Sequence, residues 1–360
     1  METHKDYDLS VEIHKAYLCA RKHKRNTLNQ LKFEVNLEQN EIKLASLLQN
    51  RQYELLPSIC FINKTPVKRE IIAANFRDRV CHHLLYNWIN PIFERQFIFD
   101  SYSCRVGKGT LFGIKRAYRY MISESDNFTH ECYALRLDIS GYFMSINRDI
   151  LYQLILQGLQ KAHWKGVPDK ELATYLIHKF VFSDPLKDAV YRSPKKDWDD
   201  IPLSKTLRGT PPNCGLPIGN LTSQLFGNIY LNPLDHFVKR ELKIRCYGRY
   251  VDDIYLIHKN KDVLLQAIPK IRDFLKDKLK LTLHPKKIYL QPITNGFTFL
   301  GAFILPYRIY PGRRIVGNFK QAILHPNKNS GKQEAKISSY KGIFSHFDCY
   351  KLQKKWSLIV

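Results

Sequence analysis

The stretch Arg245-Cys-Tyr-Gly-Arg-Tyr-Val-Asp-Asp-Ile-Tyr-Leu-Ile257 sets two adjacent carboxylates, Asp252 and Asp253, between apolar and aromatic runs. The pattern predicts a β-hairpin whose turn carries the acidic pair. Two neighbouring carboxylates repel each other, so an apolar hairpin gains no stability from them. A divalent cation removes that repulsion. A bare Asp-Asp pair is more often a solvated turn, so its meaning depends on the rest of the chain.

The 360 residues are enough for two or three subdomains around a large core. A hydrophobic content of 44% excludes a disordered chain. The 57 Lys and Arg against 33 Asp and Glu leave a net charge of +24, which points to a polyanionic partner, nucleic acid first. No apolar run is long enough to span a bilayer, and Met1-Glu-Thr-His-Lys-Asp-Tyr-Asp8 has no signal-peptide pattern, so no membrane partner is expected. Eight cysteines (19, 60, 81, 104, 132, 214, 246, 349) are scattered without a Cys-x-x-Cys pair. That spacing argues against a zinc site or a disulfide framework and for reduced residues of a cytoplasmic protein.

Outward from the hairpin, apolar spacing predicts helices at 11–18 and 37–50, the first running into the basic cluster Arg21-Lys-His-Lys-Arg25. The short runs 58–62 and 68–73 flank Asn63-Lys-Thr-Pro66 and predict a hairpin with Lys64 near its tip and Arg69 on the return strand. A helix is expected from Asn75 to Phe93, stopping near Asn90-Pro91. Asp100-Ser-Tyr-Ser-Cys-Arg-Val-Gly-Lys-Gly-Thr110 is a basic loop carrying Arg105 and Lys108, followed by a helix over 111–123; it lacks P-loop spacing. Cys132-Tyr-Ala-Leu-Arg-Leu-Asp138 is a strand pattern ending in an acid. Helices at 149–161 and 169–182 follow, then a Pro-, Asp- and Lys-rich segment, 184–213, expected to be a long surface connection. The loop Gly215-Leu-Pro-Ile-Gly-Asn-Leu-Thr-Ser-Gln224 precedes a helix expected over 225–242, and 263–279 is a further helix. Phe297-Thr-Phe-Leu-Gly-Ala-Phe-Ile304 predicts one strand with a glycine kink, and 306–360 predicts short basic helices.

The order βα, helix, hairpin, helix, strand fits a ferredoxin-like palm. That topology sets the strand ending at Asp138 beside the acidic hairpin. Three carboxylates so gathered would bind two Mg²⁺ ions about 3.5–4 Å apart. Oxygen donors without a Cys/His cluster disfavour zinc.

Leu135-Arg-Leu-Asp-Ile-Ser-Gly-Tyr-Phe143, the loop 215–224, Tyr250-Val-Asp-Asp253 and Phe299-Leu-Gly301 resemble, in order and spacing, the palm motifs of reverse transcriptases. The resemblance covers roughly residues 55–305. It implies an α+β, right-hand polymerase fold: a basic helical N-terminal extension over 1–55, fingers over 56–130, a ferredoxin-like palm over 131–305 with an insertion at 150–213, and a short basic thumb over 306–360. Within that superfamily the loop Ile218-Gly-Asn-Leu-Thr-Ser-Gln224 and the segment 100–110 resemble the reverse transcriptases of diversity-generating retroelements.

The resemblance implies roles residue by residue. Asp138, Asp252, Asp253 and the backbone carbonyl of Ile139 resemble metal-site residues for two Mg²⁺ ions, with Mn²⁺ as a substitute. Arg69 resembles the fingers arginine on the incoming base and phosphates, and Lys64 the fingertip lysine. Ser140, Gly141 and Tyr142 would offer backbone N–H groups to the triphosphate, and Phe143 resembles the ring that excludes a 2′-hydroxyl. Lys286 or Lys287 resembles the lysine that protonates pyrophosphate. Arg105, Lys108, Gln224, Leu300 and Gly301 fall at nucleic-acid-binding positions. Ile218 stands where group II intron and retron enzymes usually carry Gln, and with Gly219 it would border the nucleotide. An isoleucine only packs there, leaving selection of the base pair to shape, which is a weaker filter.

The family implies error-prone copying of a template-repeat RNA opposite adenines, an RNA template with a DNA or RNA primer, dNTPs, a small basic oligomeric accessory protein and a bacterial or phage-encoded, cytoplasmic setting. The competing readings are a reverse transcriptase of another bacterial class, phage-defence or retron-like, and a non-catalytic RNA-binding scaffold.

Overall fold

In the computed structural model the described residues are 7–22, 27–64, 67–326 and 330–356. His23, Lys24 and Arg25 of the basic cluster, and Thr65 and Pro66 of the predicted fingertip turn, lie outside them. Local signals set many element ends. Asp8 caps α1 (Leu9–Arg21), accepting from Ser10 N, and α1 buries Leu9, Ile13, Ala16, Tyr17 and Ala20 along one face. α2 (Leu28–Val35), too short for a clear periodic signal, and α3 (Leu37–Gln49) follow. β1 (Ile59–Asn63) and β2 (Arg69–Ala73) pair antiparallel, with Cys60, Ile62, Glu70 and Ile72 buried at alternate positions.

Asn75 caps α4 (Phe76–Gln96), which runs through Pro91 instead of stopping there. Proline removes one ladder bond, and the buried Trp88, Ile89, Ile92 and Phe93 on both sides of it outweigh that loss. α5 (Thr110–Glu124), β3 (Tyr133–Leu137) and the single turn α6 (Tyr142–Ser145) come next. α7 (Arg148–Lys161) is capped by Asn147 and α8 (Lys170–Phe182) by Asp169.

The segment 184–213 is not a bare connection. Its β4 (Val190–Tyr191) pairs parallel with β1, and short 3₁₀ turns follow. Glu70, buried on β2, accepts from Trp198 Nε1 and from Leu207 N, both at 2.8 Å. A buried carboxylate needs such donors, and the inserted segment supplies them.

α9 (Leu221–His236) starts one turn earlier than expected and ends in a π-turn, Phe237–Glu241. β5 (Cys246–Tyr250) and β6 (Asp253–His258) form the predicted hairpin, and α10 (Lys261–Leu279) follows. After β7 (Tyr289–Pro292), the strand expected at 297–304 is a hairpin: β8 (Phe297–Phe299) and β9 (Ala302–Leu305) turn at Leu300 and Gly301, with φ of 49° and 83°. Two positive φ values in succession reverse a chain in two residues. β10 (Arg308–Pro311), α11 (Arg313–Leu324), α12 (Ser330–Phe344) and α13 (Tyr350–Lys355) complete the chain.

The chain divides into two compact units, each assembled from three pieces. The first holds 1–98, 140–234 and 274–282, with the sheet β2-β1-β4. The second holds 99–139, 235–273 and 283–360, with the four-stranded sheet β5-β6-β3-β7 and the three-stranded β10-β9-β8. Runs of consecutive buried residues in β5 and β6 mark a sheet covered on both faces.

Candidate active site

Sheet register builds the acidic site in the second unit. β3 lies between β6 and β7, with Leu137 opposite Ile254 and Tyr250 opposite Asp253. One residue beyond Leu137, Asp138 therefore falls beside Asp253, and Val251 and Asp252 form the turn. Lys287 Nζ donates to Asp138 Oδ2 at 2.9 Å, and Arg136 Nη2 donates to Asp253 Oδ1 at 3.3 Å. Burial pushes the Asp253 carboxyl above its usual range; Arg136 opposes that shift and Asp138 adds to it. Arg136 and Lys287 thus supply the positive charge that two neighbouring carboxylates need.

The three acids were expected to share one site and bind two Mg²⁺ ions there. Among the described residues no group of three or more His, Cys, Asp or Glu stands at metal-binding spacing. Asp138 and Asp253 are turned to cations of the chain itself. The donor set still fits a hard divalent ion, since it offers carboxylate oxygens and no sulfur or imidazole. Arg136 Nε is buried without a hydrogen-bond partner, so one donor of this guanidinium is left unsatisfied while Nη2 holds Asp253. Ile139 forms an isolated bridge with Leu283, and the Asp138 carbonyl accepts from His284 N. Of the two candidate lysines, Lys287 touches Asp138 through its Nζ, whereas Lys286 donates its backbone N–H to His284 Nδ1.

The turn itself is strained. Val251 has φ of 56°, a left-handed value that is uncommon for a β-branched residue. Arg249 Nη1 donates to the Val251 carbonyl at 2.9 Å. The Arg249 guanidinium is fully buried and grips Asp235 with two bonds, Nε to Oδ1 at 2.7 Å and Nη2 to Oδ2 at 2.6 Å. Tyr247 Oη also donates to Asp235 Oδ1, at 2.6 Å. Nothing in the motif pattern singles out Arg249 or Asp235; the available signal was an arginine inside a strand otherwise buried on both faces.

Residues expected at the nucleotide lie in the first unit. The loop 215–224 runs beside α6 and the residue after it: Gly215 N donates to Ile146 O and Leu216 N to Phe143 O, both at 2.9 Å. Ile72 N donates to Ile218 O at 2.8 Å, and Ala74 N to Asn220 Oδ1 at 2.9 Å, so the loop is tied to β2. Gly219 has φ of 140°, and a Cβ there would stand 3.0 Å from Ile72 O. Phe143 and Ile218 pack, partly exposed, on one apolar cluster of Cys60, Ile72, Met144 and Leu207. Phe143 also lies against Gly227, while Tyr142 is buried with its hydroxyl on the Gly227 carbonyl.

Arg69 is exposed on β2. Lys64 is ion-paired with Asp197 at 2.9 Å, a contact made by the inserted segment. The Ser140 N–H donates to Thr282 O at 2.9 Å, so it is not available to a triphosphate; Gly141, at φ of 52°, opens α6.

The other nucleic-acid positions are more dispersed. Arg105 Nη1 donates to Ser101 O at 2.8 Å, and Lys108 lies 4.4 Å over the Phe99 ring, so both brace their own loop. Gln224 is exposed on the first turn of α9. Leu300 packs on the aromatic core around Tyr102, and the Gly301 carbonyl accepts from Gly312 N at 2.7 Å.

Residues 62–304 match the family described as reverse transcriptase (RNA-dependent DNA polymerase). Protein YkfC of Escherichia coli (strain K12) is 23% identical over 313 residues, covering 77% of this chain and 74% of that one. Among solved structures, apo telomerase from Candida tropicalis superposes with a TM-score of 0.51 at 13% identity. That match covers 80% of this chain, which spans about half, 52%, of the telomerase chain. The likeness shows the fold, the α+β right-hand polymerase fold expected from the motifs. With its family domain covering most of its length, the chain belongs to the reverse transcriptase (RNA-dependent DNA polymerase) family.

Proposed function

We propose that the chain copies an RNA template into DNA in a diversity-generating retroelement. The observation that carries the polymerase reading is the register that sets Asp138 beside Asp253 at the end of one sheet. Asp138, Asp252, Asp253 and the Ile139 carbonyl would hold Mg²⁺. When bound, the ions lower the pKa of the primer 3′-hydroxyl and neutralise pyrophosphate charge. Until then Lys287 and Arg136 neutralise part of the charge on Asp138 and Asp253. Lys287, already within hydrogen-bond reach of Asp138, is the better placed of the two lysines to give its Nζ proton to pyrophosphate. Arg69 and Lys64 steady the triphosphate, Lys64 after leaving Asp197. The Phe143 ring excludes a 2′-hydroxyl. Gln224, Leu300 and Gly301 contact nucleic acid, and Arg105 and Lys108 shape a basic loop. Fingers over 56–130, palm over 131–305 and thumb over 306–360 are the matching divisions.

The finer class rests on Ile218. Its side chain packs on the cluster that carries Phe143 and offers no polar contact to a nascent pair. Error-prone copying opposite adenines follows from the resemblance of its loop, as does a small basic accessory protein that would support a short thumb.

Primer extension on an RNA template with dNTPs and Mg²⁺ tests the polymerase reading. Wild type extends and Asp252→Ala does not; full activity in Asp252→Ala overturns it. Sequencing of the products tests the class. Errors concentrated opposite template adenines, reduced in Ile218→Gln, support it, and an error spectrum unchanged by that substitution counts against it.

A further inference from the structure

A cavity of about 280 Å³ opens among α2, α3 and the first turn of α4. Lys32, Lys43 and Arg77 line it, and no carboxylate does. Arg77 is pinned to its wall, donating to Asp78 Oδ1 from Nε at 3.1 Å and Nη2 at 3.0 Å. Lys32 and Lys43 are exposed and make no ion pair among the described residues. Phe33, Leu44, Leu47 and Leu56 give the cavity an apolar lining beside the cations, and three carboxamides, Asn29, Asn40 and Asn75, line it as well.

Two unneutralised ammonium groups beside an apolar lining suit an anion with an apolar body. A nucleotide unit has that make-up: a phosphate for the cations, a sugar and base face for the apolar lining, and base edges for carboxamides. An acidic peptide offers the charge but not the flat face. Most of the lining precedes residue 62, where the family domain begins, so the cavity belongs to this chain's own N-terminal helices. We propose that it seats one nucleotide of single-stranded RNA, with its phosphate on Lys32 and Lys43, apart from the copying site. The choice of RNA as the polyanion rests on the polymerase reading above.

The test is fluorescence anisotropy of a labelled single-stranded oligouridylate, titrated at several salt concentrations without dNTPs. Each phosphate contact contributes about 0.7 to the slope of log affinity against log salt. Lys32→Gln/Lys43→Gln should lower the slope by about 0.7, and Lys32→Glu/Lys43→Glu by at least as much, with thermal stability and extension of saturating primed template unchanged. An unchanged slope in the neutral pair overturns the proposal. So does polyglutamate that competes as well as RNA, which marks a protein ligand, or uridine monophosphate that competes at equal phosphate, which marks a free-nucleotide site. Loss of polymerisation in wild type would remove the function proposed above, while the slopes would still decide the cavity.

Discussion

Two turns carry the chain's diagnostic motifs, and they hold their shape by opposite means. The loop at 215–224 is stitched to neighbouring backbone, and its Gly219 occupies a conformation and a gap that exclude a Cβ. The turn at 251–252 puts a valine at a left-handed φ and holds it with a buried arginine, itself gripped by a buried aspartate. The first device uses the residue with the fewest constraints. The second opposes local strain with a charge pair that cannot be opened cheaply. The difference teaches where precision is demanded: a loop beside the Phe143 cluster needs only room, whereas a turn presenting Asp252 and Asp253 needs a fixed direction.

That contrast can be broken, beginning with the largest effect. Arg249→Met leaves Asp235 buried and uncompensated and should cost about 3–5 kcal/mol. A denaturation midpoint near wild type would show that the turn does not depend on the pair. Arg249→Lys keeps the charge but loses the fork, so it should fall between the two.

Acid should strike the loop side next. Burial lowers the His82 pKa to about 3, and His82 bonds Thr222 at the start of α9; burial likewise lowers His83 to about 4. Both folded values lie below the ordinary imidazole value of 6.5, so between about pH 6.5 and pH 3 the unfolded chain binds more protons. Stability therefore falls as pH falls through that window. His82→Gln should flatten the acid limb of a plot of midpoint against pH, and an identical limb would remove the histidine as its cause.

Gly219→Ala should destabilise by about 1–3 kcal/mol, through the strained φ and the contact with Ile72 O. A neutral result would mean that the loop is not held to β2. The smallest effect is expected at Val251→Gly. Relief of left-handed strain gains about 1–2 kcal/mol. Added chain freedom removes about 0.5–1 kcal/mol of that. The net should be a slight stabilisation with slower primer extension, since the direction of Asp252 is less restricted. Stability gained with no loss of rate would show that the strain serves no positioning purpose.

The parts legible in the sequence were those whose signals are local. Alternation and turn chemistry located β5, β6, β1 and β2, and the strand ending in Asp138 was correctly set beside the acidic hairpin because element order limits the topologies available. Long-range partnerships were not legible. Glu70 reads as an ordinary strand acid until Trp198 and the Leu207 N–H reach it from more than a hundred positions away. Pro91 reads as a helix stop because the apolar residues that carry the helix past it act through packing. Lys286 and Lys287 were equivalent by spacing, and only a contact separates them. The Ser140 N–H was spent on Thr282, a partner no local pattern reveals.

The strand that ends in Asp138 is sandwiched between β6 and β7, and both are made long after it. Synthesis at about 5–20 residues per second leaves β3 without either neighbour for roughly 6 to 24 seconds after it emerges from the ribosome. Through that interval an apolar strand with open edges is exposed to pairing with other chains. Both compact units share the delay, because each is closed by a piece from beyond residue 273. Yield of the soluble chain should therefore depend on translation speed and chaperone supply more than on the stability of the finished fold.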